Sequence, residues 1–232
     1  MRSLTLGVLA GTVLAGCAQP SQPAPTPPES SAAPQAGIAP VDPERIRRMR
    51  SALPEGYEVT EVGGYASSPV AFWGFGRGWN AVPAQCAPLV DPEPDGPALG
   101  VSGSGPGGII HVVVVSPAVP LGPGAGGPVS LDPVRLGECG RWTVSSDRSS
   151  AEVNLVDAPV IEAAATLGTV STIENMAESG TETDSRADTF IAYLDQHLVF
   201  VTLVTDPGSV EAPLPASYAS DLLVKTVATL RG

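Results

Sequence analysis

Few side chains in this sequence stand where they could do chemistry. Val101-Ser102-Gly103-Ser104 comes close to the Gly-x-Ser-x-Gly elbow that presents a serine nucleophile, with Gly100 before Ser102 but Ser104 in place of the second glycine. Such a serine needs a histidine base, and only His111 and His197 exist. His111 lies inside an apolar run and His197 beside an expected hairpin turn, so a serine hydrolase is the minor reading and no catalytic residue is assigned. Gly103-Ser104-Gly105-Pro106-Gly107-Gly108 matches the dinucleotide pattern literally. It precedes a valine-rich strand where the motif must open a helix, and Pro106 has no amide to give a phosphate, so it reads as a flexible surface loop. No His or Cys residues form the close local pairs that zinc takes. Asp91, Glu93 and Asp95 alternate with prolines, and Glu174, Glu178, Glu182 and Asp184 read as a solvated acidic surface. The expected cofactor and metal complement is none.

Residues 1–16 combine Arg2 with a short apolar stretch from Leu4 to Leu14. That stretch falls short of the roughly 20 residues a membrane-spanning helix needs, so it reads as a signal peptide. Leu14-Ala15-Gly16-Cys17 resembles the lipobox of bacterial lipoproteins. In that family the Cys thiol is acylated before the signal peptidase cuts ahead of it, which implies lipidation of Cys17. The expected address is the extracytoplasmic face of the cell membrane, with the membrane itself as first partner. Residues 17–41 then form a Pro-, Ala- and Ser-rich linker with no apolar periodicity, a tether extended at about 3.1 Å per residue.

With Cys17 committed to lipid, Cys86 and Cys139 remain. An oxidising compartment favours a structural disulfide between them; the competing reading is a catalytic or metal-binding thiol. Phe72, Trp73, Phe75 and Trp79, interleaved with Gly74, Gly76 and Gly78, form the densest aromatic patch. Their spacing suits a two-sided strand poorly. They are the candidate ligand-binding residues of an apolar groove, with a core anchor near the disulfide as the alternative.

The elements that must hold these residues fall within 42–232, enough chain for one domain. Asp42-Pro43-Glu44 caps a helix that buries Ile46, Met49 and Leu53 and stops at Pro54-Glu55-Gly56. Its Arg45, Arg47, Arg48 and Arg50 read as a solvated face, or as a contact for anionic headgroups. Strands are expected over 57–62, 68–75, 141–145 and 152–156. Ile109–Val115, a β-branched run, reads as a central strand covered on both faces. Residues 80–108 and 116–131 read as loop-rich, with a short helix opening at Leu131-Asp132-Pro133. Residues 157–159 start a turn, 166–175 and 180–187 are strands or loops, and 190–194 with 197–205 make a hairpin. Ala219, Leu222, Leu223, Val227 and Leu230 form one stripe of a C-terminal helix. Mainly antiparallel strands with helices at both ends of the domain make the fold class α+β. The formal net charge of -12 repels phosphate backbones, so nucleic acid is excluded as a partner.

From Pro43 to Gly232 the chain resembles an actinobacterial, largely mycobacterial, family of lipoproteins classed as a domain of unknown function. Leu53-Pro54-Glu55-Gly56-Tyr57-Glu58-Val59, Ala71-Phe72-Trp73-Gly74-Phe75-Gly76, Gln85-Cys86, Cys139-Gly140-Arg141-Trp142-Thr143 and Leu222-Leu223-Val224-Lys225-Thr226-Val227 carry the likeness. It is more distantly similar to the extracellular sensor domain of a mycobacterial receptor Ser/Thr kinase. That resemblance implies a curved antiparallel sheet with a large cleft, and a noncatalytic sensor-like domain that binds a ligand or partner such as a lipid, a glycan or an envelope protein. The sensor has two disulfides, whereas this domain has cysteines for one. An envelope lipid carrier with a hydrophobic cavity is the alternative function.

Overall fold

A computed structural model describes residues 39–64, 68–92, 96–116, 131, 133–177, 179–194, 196–205 and 208–232. Their centre is one curved, antiparallel sheet. Its strands are β1 (Glu58–Gly64), β2 (Asn80–Val82), β3 (Ala98–Gly105), β4 (Gly108–Val115), β5 (Arg141–Ser145), β6 (Ser149–Val156), β7 (Ala165–Met176), β8 (Glu182–Leu194) and β9 (His197–Val204). They lie in the order β1-β3-β4-β9-β8-β7-β6-β5-β2. The α+β class and antiparallel sheet expected from sequence are therefore present.

β4 sits inside the sheet and is buried on both faces, as its valines require. Ile110, Val112 and Val114 join the layer built with helix α3 (Tyr218–Arg231) and a 3-10 helix at Pro43–Ala52. Val113 and Val115 join the opposite layer, which contains Trp73, Trp142 and the disulfide. α3 buries Ala219, Leu222, Leu223, Val227 and Leu230, the stripe its periodicity announced. The N-terminal helix begins where expected, with the Asp42 side chain accepting from the Glu44 amide. Arg45 pairs with Asp42, while Arg47 and Arg50 face Glu61 of β1. The arginine face is thus occupied in part by local carboxylates.

Three expectations need correction. Residues 68–75 do not form a strand. Pro69 at the first helical position starts a single turn, α1 (Pro69–Phe72), and Gly74 at φ +93 ends it. The aromatic residues there raise β-propensity, but burial of Trp73 against the sheet overrides it. Residues 80–108 are not merely loop: they hold β2, a 3-10 turn at Ala84–Leu89 and all of β3. The supposed flexible loop 103–108 is the end of the β3–β4 hairpin, with Gly105 opposite Gly108. Its glycines serve packing. A Cβ on Gly105 would lie 2.4 Å from the Tyr57 ring, and the Gly107 amide donates to the Tyr57 hydroxyl at 3.0 Å.

The segment 166–175 belongs to β7 and the segment 180–187 enters β8 at Glu182, and Leu194 pairs with His197 across the predicted hairpin. A short helix, α2 (Pro133–Glu138), leads into Cys139. The Gly-rich stretch 122–128 and the leader and linker over 1–38 lie outside the described residues, as do Glu93, Asp95 and Glu178.

Cys86 and Cys139 form a disulfide, with 5.7 Å between their Cα atoms, across a sequence separation of 53. A loop of that length gives about 4 kcal/mol of stabilisation in the chain-entropy model. The double variant Cys86→Ala/Cys139→Ala should accordingly melt roughly 8–16 °C lower, read by differential scanning calorimetry beside a reduced sample of the parent.

Candidate functional site

Motifs far apart in sequence meet on one face of the sheet. Cross-strand register places Thr60 of β1 beside Ser102 of β3, Ser102 beside His111 of β4, and His111 beside Thr202 of β9. Thr202 faces Thr189 of β8, and Thr189 faces Thr169 of β7. Register partners share a face, so these polar residues form one row across the strands. Val113 and Phe200, two residues along β4 and β9, place the row under the disulfide-side layer.

The aromatic patch closes over this row. The ring of Phe72 lies on His111 with centroids 4.3 Å apart, and on Phe200 at 5.7 Å. Trp73 is buried, and its indole Nε1 donates to Thr189 Oγ1 at 3.1 Å and Thr202 Oγ1 at 3.2 Å. The two hydroxyls are 2.6 Å from each other. Phe75 is buried in the same layer, with Trp79 packed against it. The four predicted aromatics therefore sit together, two of them inside the layer and two at its margin.

Ser102 and His111, the pair a hydrolase would need, are direct cross-strand neighbours. No hydrogen bond joins them, and His111 Nδ1 is buried with no partner. Burial lowers the His111 pKa to about 4, so the imidazole is neutral at pH 7. Ser102 stands in extended backbone within β3, without the strand-to-helix turn that exposes a nucleophile. His197 belongs to the β8–β9 turn and Ser104 to the hairpin end, so neither completes a triad. Among the described residues no group of three or more His, Cys, Asp or Glu could hold a metal ion.

Sequence reasoning missed Thr169, Ser171, Thr189 and Thr202, all fully or almost fully buried. For Thr189 and Thr202 the signal was present: single hydroxyl residues interrupt the apolar runs that become β8 and β9. Trp142 and Tyr193 complete the polar set on this face, and burial pushes the Tyr193 hydroxyl up to about 12.

Among the described residues, no helix packs on the opposite face of β5–β7. An open cleft of about 320 Å³ there is lined by Thr143, Ser150, Ala151, Glu152, Thr172 and Glu174. Arg141 pairs with Glu152 and, with Asn154, holds that exposed carboxyl below its ordinary range. It is the solvated side of an antiparallel sheet.

A model described as a domain of unknown function, DUF5642, matches residues 42–231. The chain belongs to the DUF5642 family. A search of curated proteins finds no match. Among solved structures, this DUF5642 domain is similar to an uncharacterised protein from Mycobacterium smegmatis, the Rv0999 ortholog. The identity is 22% and the TM-score 0.58, over 83% of this chain and 98% of that one. It is also similar to the extracellular domain of PknH from Mycobacterium tuberculosis, at 14% identity and a TM-score of 0.51, over 84% of this chain and 98% of that one. At these identities the shared property is the fold.

The lowered His111 pKa fixes a sign for the pH dependence. The unfolded chain, with a histidine pKa near 6.5, binds the proton that the folded chain refuses until about pH 4. Stability should therefore fall as pH drops from about 6.5 to 4, by up to about 3 kcal/mol from this group. Urea unfolding of the parent and His111→Phe at pH 7 and pH 4.5 checks this: the variant should lose a large part of the parent's decrease.

Proposed function

We propose that the chain is a noncatalytic, sensor-like domain that binds a ligand or partner on the extracytoplasmic side of the cell membrane, held there by lipid on Cys17. The observation that carries this reading is the fold shared with a domain described as extracellular, across 84% of this chain. The disulfide agrees with an oxidising compartment. Leu14-Ala15-Gly16-Cys17 supplies the lipidation signal, with 1–16 as the leader and 17–41 as the tether for the domain at 42–232. Several acyl chains on one residue would make that anchoring durable, where one chain binds only marginally.

The noncatalytic part rests on the Ser102–His111 pair, which lacks both a hydrogen bond and the turn that a nucleophile needs. An envelope lipid, a glycan or an envelope protein are the partner classes this address offers. A lipid-carrier role is the second reading, favoured by the aliphatic side chains that surround the buried polar row.

Two measurements test the proposal. Cys17→Ser should abolish incorporation of labelled palmitate and move the protein from the membrane to the soluble fraction of its native host. Native mass spectrometry and solvent extraction of that released protein should then reveal bound material. A palmitate signal that survives the substitution would refute the anchor. Homogeneous, unliganded protein that also captures no envelope protein would refute the binding function.

A further inference from the structure

The disulfide-side face holds more polar groups than it pairs. Thr169, Ser171 and Trp142 are 1%, 0% and 2% exposed. Thr169 Oγ1, Ser171 Oγ and Trp142 Nε1 nevertheless have no hydrogen-bond partner. Thr169 and Ser171 stand two residues apart on the same face of β7. Ser171 is in register with Val153, and Val153 with Trp142. Strand spacing therefore puts the Trp142 Cα about 10 Å from that of Ser171 and about 12 Å from that of Thr169. Each buried group left unpaired costs about 1–3 kcal/mol. Three such groups at one place call for a partner from outside the chain, water or a bound ligand.

The layer over these groups differs from the one on the other side. α3 spans Tyr218–Arg231, whereas the cover here is α1 and the Ala84–Leu89 turn, on either side of the edge strand β2. The disulfide at Cys86 ties that cover to Cys139, just ahead of β5. Short segments with few backbone hydrogen bonds of their own open at lower cost than the sheet. The disulfide limits how far they can move.

The face also defines what could enter. By strand alternation the charged residues of β5–β8, from Arg141 and Glu152 to Arg186 and Asp188, fall on the opposite side. An ion brought here would lose its hydration without a counter-charge. Trp142 Nε1 can only donate, so the occupant must offer an acceptor, while the two hydroxyls donate or accept. Leu167 and Ile173 flank the hydroxyls on β7 and would take an apolar body.

We propose that Thr169, Ser171 and Trp142 form the polar floor of a binding site for an uncharged amphiphile, entered when α1 and the Ala84–Leu89 turn lift from the sheet. This deepens the binding function proposed above and rests on it.

The test uses the full chain carrying Cys17→Ser, with 1-monomyristoylglycerol as probe and myristate at pH 8 as its charged counterpart. Tryptophan fluorescence and the melting temperature report binding. The monoacylglycerol should bind saturably, at least tenfold more tightly than myristate, and raise the melting temperature. Adding Thr169→Val and Ser171→Ala should weaken it at least tenfold while cooperative unfolding persists, and Trp142→Phe should weaken it independently. Equal affinity for the two probes, or unchanged affinity in the double variant, would overturn the site. So would a double variant that melts higher while no probe binds the parent, the result expected if the groups meet only water. Material that co-purifies from the native host at the same occupancy in parent and double variant would leave the binding function standing and remove this site from it. Absence of both co-purified material and probe binding would remove both.

Discussion

Burying β4 on both sides requires a layer against each face of the sheet, and the chain meets that requirement by two unequal means. On one side α3 and the N-terminal 3-10 helix lay a continuous apolar stripe over β3, β4, β8 and β9. On the other, short segments carry aromatic side chains inward, and a disulfide anchors them. The first layer is assembled from periodic sequence at the two ends of the domain. The second depends on a few large side chains, with Trp73 bonded through its indole to hydroxyls of two central strands. Everything distinctive about the molecule lies on that second side.

The same asymmetry governs where polarity is tolerated. A hydroxyl inside a sheet costs little when a neighbour answers it, and Thr189, Thr202 and Trp73 answer one another. His111 and Thr169 continue the row with unanswered atoms, and Ser171 and Trp142 extend the pattern by one register step. The charged residues of β7 and β8 face the other way, where water or an ion pair satisfies them, as Arg186 does for the buried Asp188 at 2.8 Å. This division leaves the disulfide-side layer polar yet nearly free of charge, which is an environment for hydrogen bonding more than for proton transfer. It also explains how a serine and a histidine can stand side by side without forming a catalytic unit.

Much of this architecture can be read from the residues. The valine run of β4, the stripe of α3, the Asp42 cap and the two domain cysteines each announce their role, because each depends on local periodicity or on a scarce residue type. The failures share a cause. The span 68–75 has the composition of a strand and folds as a helical turn, because Trp73 must reach Thr189 and Thr202. The glycines at 103–108 have the composition of a loop and extend a strand pair, because Tyr57 needs the space a Cβ would take.

The sequence by itself determined an antiparallel α+β domain, its central strand, its terminal helix and its cysteine pair. Those properties follow from composition, spacing and period, which act within a few residues of chain. Only the tertiary structure decided that Phe72 would lie on His111, that Ser102 would flank it, and that Thr169, Ser171 and Trp142 would stand unpaired on one face of the sheet. Strand order and register set those meetings. The nine-stranded order β1-β3-β4-β9-β8-β7-β6-β5-β2 is fixed by burial of the whole sheet and not by any one segment.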